Sequence, residues 1–168
     1  MGMEWYALHV KPHKERIVYK HLCSLNIETY FPKLDVKPQN PRAARERPFF
    51  PGYLFVRTNL VEVGSNALRW TPGVHGLVEF GGEPAIVPAN LIHELKQRLL
   101  RIQASSGQPV PEFKQGDRVR VIRGPLAGYE AIFDLQLNGR QRVQVLLAFL
   151  SQPPHPVRLN ADDIQKVR

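Results

Sequence analysis

Apolar positions near the start of the chain change their spacing from one segment to the next. WYALHV (5–10) is rich in aromatic and β-branched residues, which predicts a strand. HKERIVYKHLCSL (13–25) then takes the spacing of an amphipathic helix. On this pattern Cys23 is interpreted as a small buried residue. We expect the core-facing arc of this helix to consist of Ile17, Val18, His21, Leu22 and Leu25.

Extended segments and turn residues follow this predicted helix. IETYFPKLDV (27–36) is predicted to be extended, and Pro32 favours a place at the edge of a sheet. KPQNPRAARER (37–47) is basic and punctuated by proline, which is typical of a loop. RPFFPGYLFVRT (47–58) is the next predicted strand, with a bend or bulge at Pro51-Gly52.

Two further helices and another strand are predicted before residue 103. LVEVGSNALRW (60–70) is a short helix candidate, and VHGLVEF (74–80) is a predicted strand that ends in the Gly81-Gly82 turn. The resulting order β-α-β-β-α-β-α predicts an α+β fold of the split β-α-β type, an antiparallel sheet with flanking helices. A last helix starts near Pro88, with an apolar stripe of Leu91, Leu95, Leu99 and Ile102.

The remainder of the chain has a different composition. QASSGQPVPE (103–112) lacks periodicity and predicts a flexible linker. Residues 113–168 hold several short strand candidates at the spacing of a small β-barrel. We therefore expect an N-terminal domain at 1–102 and a small β domain at 113–168.

Charge and composition narrow the class of partner. The 168 residues carry a formal charge of +8, with 14 basic against nine acidic side chains before residue 105 and nine against six after it. A distributed positive charge favours contact with a polyanion. No apolar run approaches the ~20 residues that a bilayer requires, so no membrane partner is expected. One cysteine excludes an internal disulfide and favours a reducing, cytoplasmic setting.

Signatures of catalysis are lacking in the sequence. The six histidines form no H-x₃-H pair, and one cysteine cannot build a zinc cage. The motifs of serine hydrolases, P-loop proteins and zinc proteases are also missing. We therefore expect no enzyme activity, no cofactor and no metal.

The aromatic stretch FFPGYLF (49–55) has apolar side chains on both faces of its strand. Tyr53 and Phe55 share one face, and Leu54 and Val56 share the other. Helices are expected to cover one face. The second face is then either a second buried face or an exposed patch that binds a partner.

Motifs along nearly the whole chain resemble the NusG family of transcription elongation factors. WYALHVK (5–11), FFPGYLFV (49–56) and TPGV (71–74) resemble its N-terminal domain, and GDRVRVIRGPLAGYEAIF (116–133) resembles its C-terminal KOW domain. FGGEPAIVPANLIHEL (80–95) further resembles the specialised RfaH-like branch of the family. HPVRLNADDIQKV, near the C-terminus, is instead similar to the last strand of ordinary NusG proteins.

The resemblance implies a regulator that binds RNA polymerase and suppresses pausing or termination. An apolar cavity on the N-terminal domain would grip the coiled-coil clamp helices of the polymerase β′ subunit. The matching wall positions are His9, Phe50, Tyr53 and Phe55. A second contact, with the β gate loop, would fall at Gly64, Ser65 and Asn66, where the His-Thr-Thr of the RfaH-like proteins is absent.

The resemblance also extends to other partners. RfaH-like proteins read the non-template DNA strand; the matching or neighbouring positions are Lys11, Lys14, Arg16, His21 and Thr71. Pro72 replaces an arginine of that patch, and a buried histidine is the alternative reading of His21. KOW domains recruit a small-subunit ribosomal protein or the termination factor Rho, and we expect the factor itself to be a monomer.

Two alternative functions stay open from the sequence. The first is a general, housekeeping NusG role in elongation and termination in place of an RfaH-like one. The second is an RNA-binding ribosome-assembly module, because KOW barrels also occur in ribosomal proteins.

The segment VQVLLAFL (143–150) fits two structures. Its apolar residues share one face as a strand, and a different set shares one face as a helix. RfaH-like proteins can fold this region as a helical hairpin packed on the N-terminal domain. Here Pro153, Pro154 and Pro156 would end such a helix by Gln152, and Arg47 replaces an acidic residue that ties the two domains together. We therefore predict a KOW β-barrel as the main state, with the helical hairpin as the alternative.

Overall fold

The structure is a computed structural model of the 168-residue chain. It divides into two compact units, Met1–Gln103 and Ala104–Arg168, which we describe separately. The residues that it describes are 2–36, 40–43, 45–104, 119–120, 132, 138–151 and 165–166.

The first unit has an α+β fold with an antiparallel sheet. In chain order its elements are β1 (Glu4–Val10), α1 (Glu15–Ser24), β2 (Glu28–Tyr30), β3 (Lys33–Asp35), β4 (Glu46–Pro48), β5 (Tyr53–Thr58), α2 (Leu60–Val63), α3 (Ser65–Arg69), β6 (Val74–Leu77), β7 (Glu79–Phe80), β8 (Glu83–Pro84), β9 (Ile86–Val87) and α4 (Ala89–Ala104).

The main sheet is built around β1. Its strand order is β2-β5-β1-β6, and β9 also pairs with β1. All its pairings are antiparallel, with Leu8 opposite Leu54 and His9 opposite Tyr53. Two hairpins, β3–β4 and β7–β8, lie outside this sheet. The turn predicted at Gly81-Gly82 is confirmed, because β7 pairs with β8. The segment predicted as extended at 27–36 is divided at Pro32 into β2, an edge strand of the main sheet, and β3, which pairs with β4.

One face of the main sheet carries the hydrophobic core. Alternate residues of β1 and β5 contribute to it, and helix α1 adds Val18 and Leu22. The complete buried cluster is Tyr6, Leu8, Val10, Val18, Leu22, Phe31, Leu54, Val56, Leu68 and Val74.

The arc predicted for α1 was too wide. Ile17 is 59% exposed and Leu25 is 55% exposed, while His21 and Cys23 are also exposed. The buried residues of α1 are Glu15, Val18 and Leu22, a stripe with spacings of three and four. A helix lying on a sheet buries such a narrow stripe. The readings of His21 and Cys23 as buried residues are therefore wrong.

Helix α4 covers part of the second face of the sheet. Leu91, Leu95 and Leu99 are buried, as the predicted stripe required. The Lys96 ammonium lies 5.3 Å from the centre of the Trp5 ring and 5.1 Å from that of Tyr30, which are favourable cation–π distances. Both faces of the sheet are thus covered at the Trp5 end of β1.

Three local features differ from the sequence-based prediction. The stretch RPFFPGYLFVRT forms two strands, because β4 pairs with β3 and the chain bends before β5 joins the main sheet. The helix predicted at 60–70 is divided by Gly64, which has φ +80°. Helix α4 continues through Gln103 and Ala104, the first two residues of the predicted linker. The Gln103 side chain accepts a hydrogen bond from the Asp35 amide at 2.9 Å, which holds it in the first unit.

The described part of the second unit contains a strand pair and a helix. β10 (Val119–Arg120) pairs antiparallel with β11 (Gln165–Lys166), and α5 spans Gly139–Leu150. The strand reading of VQVLLAFL (143–150), which the predicted β-barrel requires, is therefore wrong in this structure. The other predicted strands of the KOW barrel lie largely outside the described residues.

A capping box explains why α5 starts at its position. The Asn138 side chain accepts from the Gln141 amide at 2.9 Å, and the Gln141 side chain accepts from the Asn138 amide at 2.8 Å. These bonds satisfy two backbone donors at the helix end. The helix ends at Leu150, and Ser151 is extended with ψ 141°. The prediction that this helix ends by Gln152 is therefore confirmed.

We expect Asn138→Ala to reduce the helix content of residues 139–150 in the full-length protein. Loss of an N-cap side chain costs a helix about 1 kcal/mol. Secondary chemical shifts of residues 143–150 measure the change directly. Asn138→Ser is the matched control because serine is an equally good N-cap. Helical shifts that stay unchanged in Asn138→Ala would show that this cap does not determine the helix.

Candidate functional site

A tight bend places the aromatic residues between β4 and β5. The Val10 amide donates to the Gly52 carbonyl at 2.8 Å, and the Gly52 amide donates to Glu15 Oε1 at 2.9 Å. Gly52 has φ +82°, a backbone geometry that other residues resist. The bend is therefore attached to both the end of β1 and the first turn of α1, and it fixes where Tyr53 enters the sheet.

Three rings from neighbouring strands form a stack, which we call the ring column: Tyr53, His9 and His75. The ring centres of His9 and Tyr53 are 4.7 Å apart, with planes inclined by 12°. His9 and His75 are also 4.7 Å apart, with planes inclined by 35°. The register explains the column, because His9 lies opposite Tyr53 on β5 and opposite Gly76, next to His75, on β6.

The remaining aromatic residues of the predicted site are buried. Phe50 packs edge-on against Phe55 at 5.9 Å and against Phe49 at 5.1 Å. Phe50 is 0% exposed and Phe55 is 1% exposed, whereas His9 and Tyr53 are half-buried. The Tyr53 amide also donates to the Phe50 carbonyl at 3.1 Å. Of the four positions, His9 and Tyr53 are thus the ones that solvent reaches.

Burial favours the uncharged forms of His9 and Tyr53. It lowers the pKa of His9, and the charge of His75 lowers it further. Burial also raises the pKa of Tyr53. At neutral pH both rings are therefore neutral, and they form an apolar surface with polar edges.

We expect His9 to titrate below the ordinary histidine value of about 6.5. The folded state then binds fewer protons than the unfolded state, so stability is lost as the pH falls from about 6.5 through the lowered pKa. His75→Gln should raise the His9 pKa only part of the way, because burial is the larger cause. NMR titration of the His9 ring protons measures both values, with His93→Gln as the control. An unshifted His9 in the parent protein contradicts this account.

A polar cavity of about 100 Å³ adjoins the ring column. His75 belongs to both, and it connects the cavity to His9. Ser65 and Asn66, two of the three predicted gate-loop residues, line the cavity, and Gly64 precedes them at the break between α2 and α3. The other lining residues are Arg69, Gly76, Leu77 and Glu79. His75 and Arg69 were absent from the sequence-based prediction.

Basic residues of the predicted DNA set lie just before α1 and along it. Lys11, Lys14 and His21 are exposed. Arg16 is 63% exposed and lies 3.9 Å from a carboxylate oxygen of Glu46, so part of its charge is already paired.

Thr71 is placed differently from the rest of the set. It is only 7% exposed, and its hydroxyl donates to the Ala67 carbonyl at 3.1 Å. The turn that follows it contacts the basic residues, because the Lys11 amide donates to the Gly73 carbonyl at 2.8 Å. The structure therefore brings this turn next to Lys11, with the Thr71 hydroxyl pointing inward.

The described residues contain neither a metal-binding cluster nor a membrane-spanning helix. These residues contain no group of three or more His, Cys, Asp or Glu side chains that would hold a metal ion. No helix in the same part of the chain combines the length and the apolar character needed to cross a bilayer.

Comparison with known proteins identifies a family to which this chain is similar. Residues 3–96 match the family described as "Transcription termination factor nusG". The Pseudomonas aeruginosa "Transcription termination/antitermination protein NusG" is 29% identical over 181 residues, covering 99% of this chain and 100% of the relative. The protein of the same name from Thermus thermophilus is 26% identical, with coverage of 99% and 100%.

A solved structure is also similar to this chain. It is described as "Domain interaction in Thermotoga maritima NusG" and covers 75% of this chain and 76% of its own. The sequence identity is 24% and the TM-score is 0.44.

Proposed function

Because the chain belongs to the NusG family of transcription termination/antitermination factors, which are not enzymes, we propose that it regulates elongation by binding RNA polymerase through the ring column and its aromatic neighbours. The predicted site positions are His9, Phe50, Tyr53 and Phe55; His9 and Tyr53 form the accessible surface, and the buried Phe50 and Phe55 support it. Its partner is the pair of clamp helices of the polymerase β′ subunit.

The ring column is the observation that supports this surface. Tyr53 is a half-buried tyrosine held by stacking on His9, so its ring is rigid before any partner arrives. Rigid aromatic side chains that keep a polar group at the edge are the common anchors of protein interfaces. A helix that lies across the column would bury its apolar side chains on Tyr53 and would find Phe50 and Phe55 behind it, the helix-in-groove mode of recognition.

A second contact involves the gate loop of the polymerase β subunit. We place it at Gly64, Ser65 and Asn66, which adjoin the polar cavity beside His75. A factor that holds both sides of the polymerase cleft favours the closed clamp. It therefore acts by shifting a conformational population and forms no covalent bond.

The basic residues around α1 contact exposed non-template DNA in this proposal. Lys11 and Lys14 contribute most of this attraction because they are exposed, and Arg16 contributes less because Glu46 lies beside it. The contact is expected to weaken with salt, as phosphate contacts do.

Within the family, we assign this chain to the antitermination side, as a specialised RfaH-like factor. FGGEPAIVPANLIHEL (80–95) supports this by resemblance, and so does the helix over residues 139–150, since a KOW barrel has strands there. The competing assignment is a general NusG protein, supported by the names of the relatives. A KOW domain at 113–168, behind a linker that starts near residue 103, would recruit a small-subunit ribosomal protein or Rho.

Two measurements test the proposal. Core RNA polymerase should co-purify with the tagged full-length protein, and co-purification with ribosomal precursors in its place would favour the ribosome-assembly alternative. Single-round transcription on a template with a pause site and a Rho-dependent terminator then separates the two family roles. Increased read-through supports antitermination, whereas increased termination in the presence of Rho supports the general NusG role.

A further inference from the structure

Trp70 is the most exposed of the large apolar side chains that the structure describes. It is 81% exposed, whereas the other tryptophan, Trp5, is 6% exposed. Leaving an indole ring in water forgoes the stabilisation that its burial would bring. A ring displayed in this way is typical of a binding surface.

The backbone around Trp70 is fixed. Trp70 caps the end of α3, and its amide donates to the Asn66 carbonyl at 2.9 Å. The Thr71 amide donates to Leu68 at 3.2 Å, and Leu68 is 1% exposed. Leu68 and Thr71, on either side of Trp70 in the sequence, are both buried and hold the backbone in place. Binding through Trp70 therefore requires little additional ordering of the backbone.

The surroundings of Trp70 are basic. Arg69 precedes it directly and is exposed. The turn after Thr71 is attached to the basic end of β1, because the Lys11 amide donates to the Gly73 carbonyl at 2.8 Å. The side chain of Lys14 also approaches Gly73, within 3.5 Å of where a β-carbon would stand. An acidic residue, Glu79, lines the same cavity as Arg69.

We propose that Trp70 stacks on an unpaired base of single-stranded DNA while Lys11 and Lys14 contact the adjacent phosphates. This inference rests on the proposed function, which brings exposed DNA to this face. An aromatic plane flanked by cations is the usual surface for single-stranded nucleic acid, and it tolerates any base because every base has a π face. The inward-facing Thr71 hydroxyl is not required for the contact.

Fluorescence of the full-length protein tests the stack directly. The chain has two tryptophans, so Trp5→Phe leaves Trp70 as the sole indole. We expect a 12-nucleotide oligothymidine to quench this variant strongly. The matched control is Trp70→Phe, which retains the buried Trp5 and should show little quenching. Quenching that is equal in the two variants would overturn the proposal.

Affinity measurements separate stacking from charge. Trp70→Ala should weaken binding of the oligothymidine by about fivefold or more. Trp70→Phe should retain most of the affinity, because a phenyl ring also stacks. Lys11→Ala should weaken binding and reduce its salt dependence, since it removes a phosphate contact. An oligonucleotide of the same length with abasic sites removes the bases alone. Trp70→Ala and the parent protein should bind this abasic strand equally, because it offers no base for Trp70 to stack on.

Other results would overturn the stacking contact or its assignment to DNA. Equal binding of the oligothymidine by Trp70→Ala and the parent protein, or a difference that persists with the abasic strand, overturns the stacking contact. Tighter binding of oligouridine than of oligothymidine overturns the assignment to DNA. Binding to core polymerase without nucleic acid should be normal in Trp70→Ala. Failure of the parent protein to bind polymerase would instead contradict the proposed function, so the two failures are distinguishable.

Discussion

Tyr53→Ala is expected to weaken binding to core RNA polymerase about 30-fold while the fold is retained. Truncating an aromatic anchor at an interface typically costs about 2 kcal/mol or more, which corresponds to this factor. Tyr53 is outside the buried core cluster and half-buried, so its removal leaves the packing of β1, β5 and α1 in place. A binding titration with labelled protein measures the affinity, and thermal unfolding checks the fold.

Two control variants make this result interpretable. Tyr53→Phe keeps the ring that stacks on His9 and should bind almost normally. Ile86→Ala removes a side chain that is 55% exposed on β9, away from the column along the sheet, and should leave the affinity unchanged. A folded Tyr53→Ala protein with the affinity of the parent would refute the binding surface.

The buried phenylalanines require a different treatment. Phe50 and Phe55 are almost fully buried, and truncating such a residue to alanine typically costs about 3–5 kcal/mol of stability. Reduced polymerase binding by Phe55→Ala would therefore reflect loss of fold as much as loss of contact. Tyr53 is the position at which binding and stability can be separated.

Gly73→Ala is expected to destabilise the first unit by about 2–5 kcal/mol. Gly73 has φ +90°, and forcing a residue with a β-carbon into such a geometry costs about 1–2 kcal/mol. The new β-carbon would also stand 2.9 Å from Val18 Cγ2, in the core, and overpacking of this kind adds about 1–3 kcal/mol. Chemical denaturation measures the change in the free energy of unfolding.

The two causes can be distinguished by matched variants. Gly81→Ala places a β-carbon at φ +62° with nothing within 4 Å, so it carries the backbone cost alone. Val18→Ala removes the methyl group that the Gly73→Ala side chain meets. The double variant should therefore lose less stability than the sum of the losses in the two single variants. Strict additivity, or a Gly73→Ala cost no larger than that of Gly81→Ala, would contradict the steric account.

Local patterns in the sequence were sufficient to predict most of the strands and turns of the first unit. The aromatic and β-branched residues of WYALHV and the turn residues at Pro51-Gly52 and Gly81-Gly82 predicted strands and turns that the structure contains. The arc of α1 was predicted less well, because the width of a buried stripe depends on the surface that the helix meets. Glu15 is an example. Its carboxylate is buried and accepts a hydrogen bond from the Gly52 amide, which is 37 positions away in the sequence and could not be read from the pattern of the helix.

The C-terminal unit shows a second limit of prediction. VQVLLAFL supports both a strand and a helix, so its apolar pattern cannot decide between them. The deciding local signal was the pair Asn138 and Gln141, which forms the capping box of α5. Reading that pair as an N-cap would have favoured the helix from the sequence alone.

The candidate site was only partly predictable. His9 and Tyr53 were found through resemblance to a family, and the structure stacks their rings. His75 was missed because its place beside His9 depends on the register of β6 against β1, which includes an irregularity after His9. Trp70 was missed because the exposure of a side chain at a helix end depends on where the helix packs.

The exposure of Cys23 has a practical consequence for work with this protein. It is the sole cysteine of the chain, and it lies on the solvent side of α1. A lone accessible thiol can form a disulfide only with another molecule. Preparations stored without reductant should therefore accumulate a covalent dimer that disappears with dithiothreitol. The same thiol accepts a single maleimide dye, which places a reporter on α1 without any substitution in the chain.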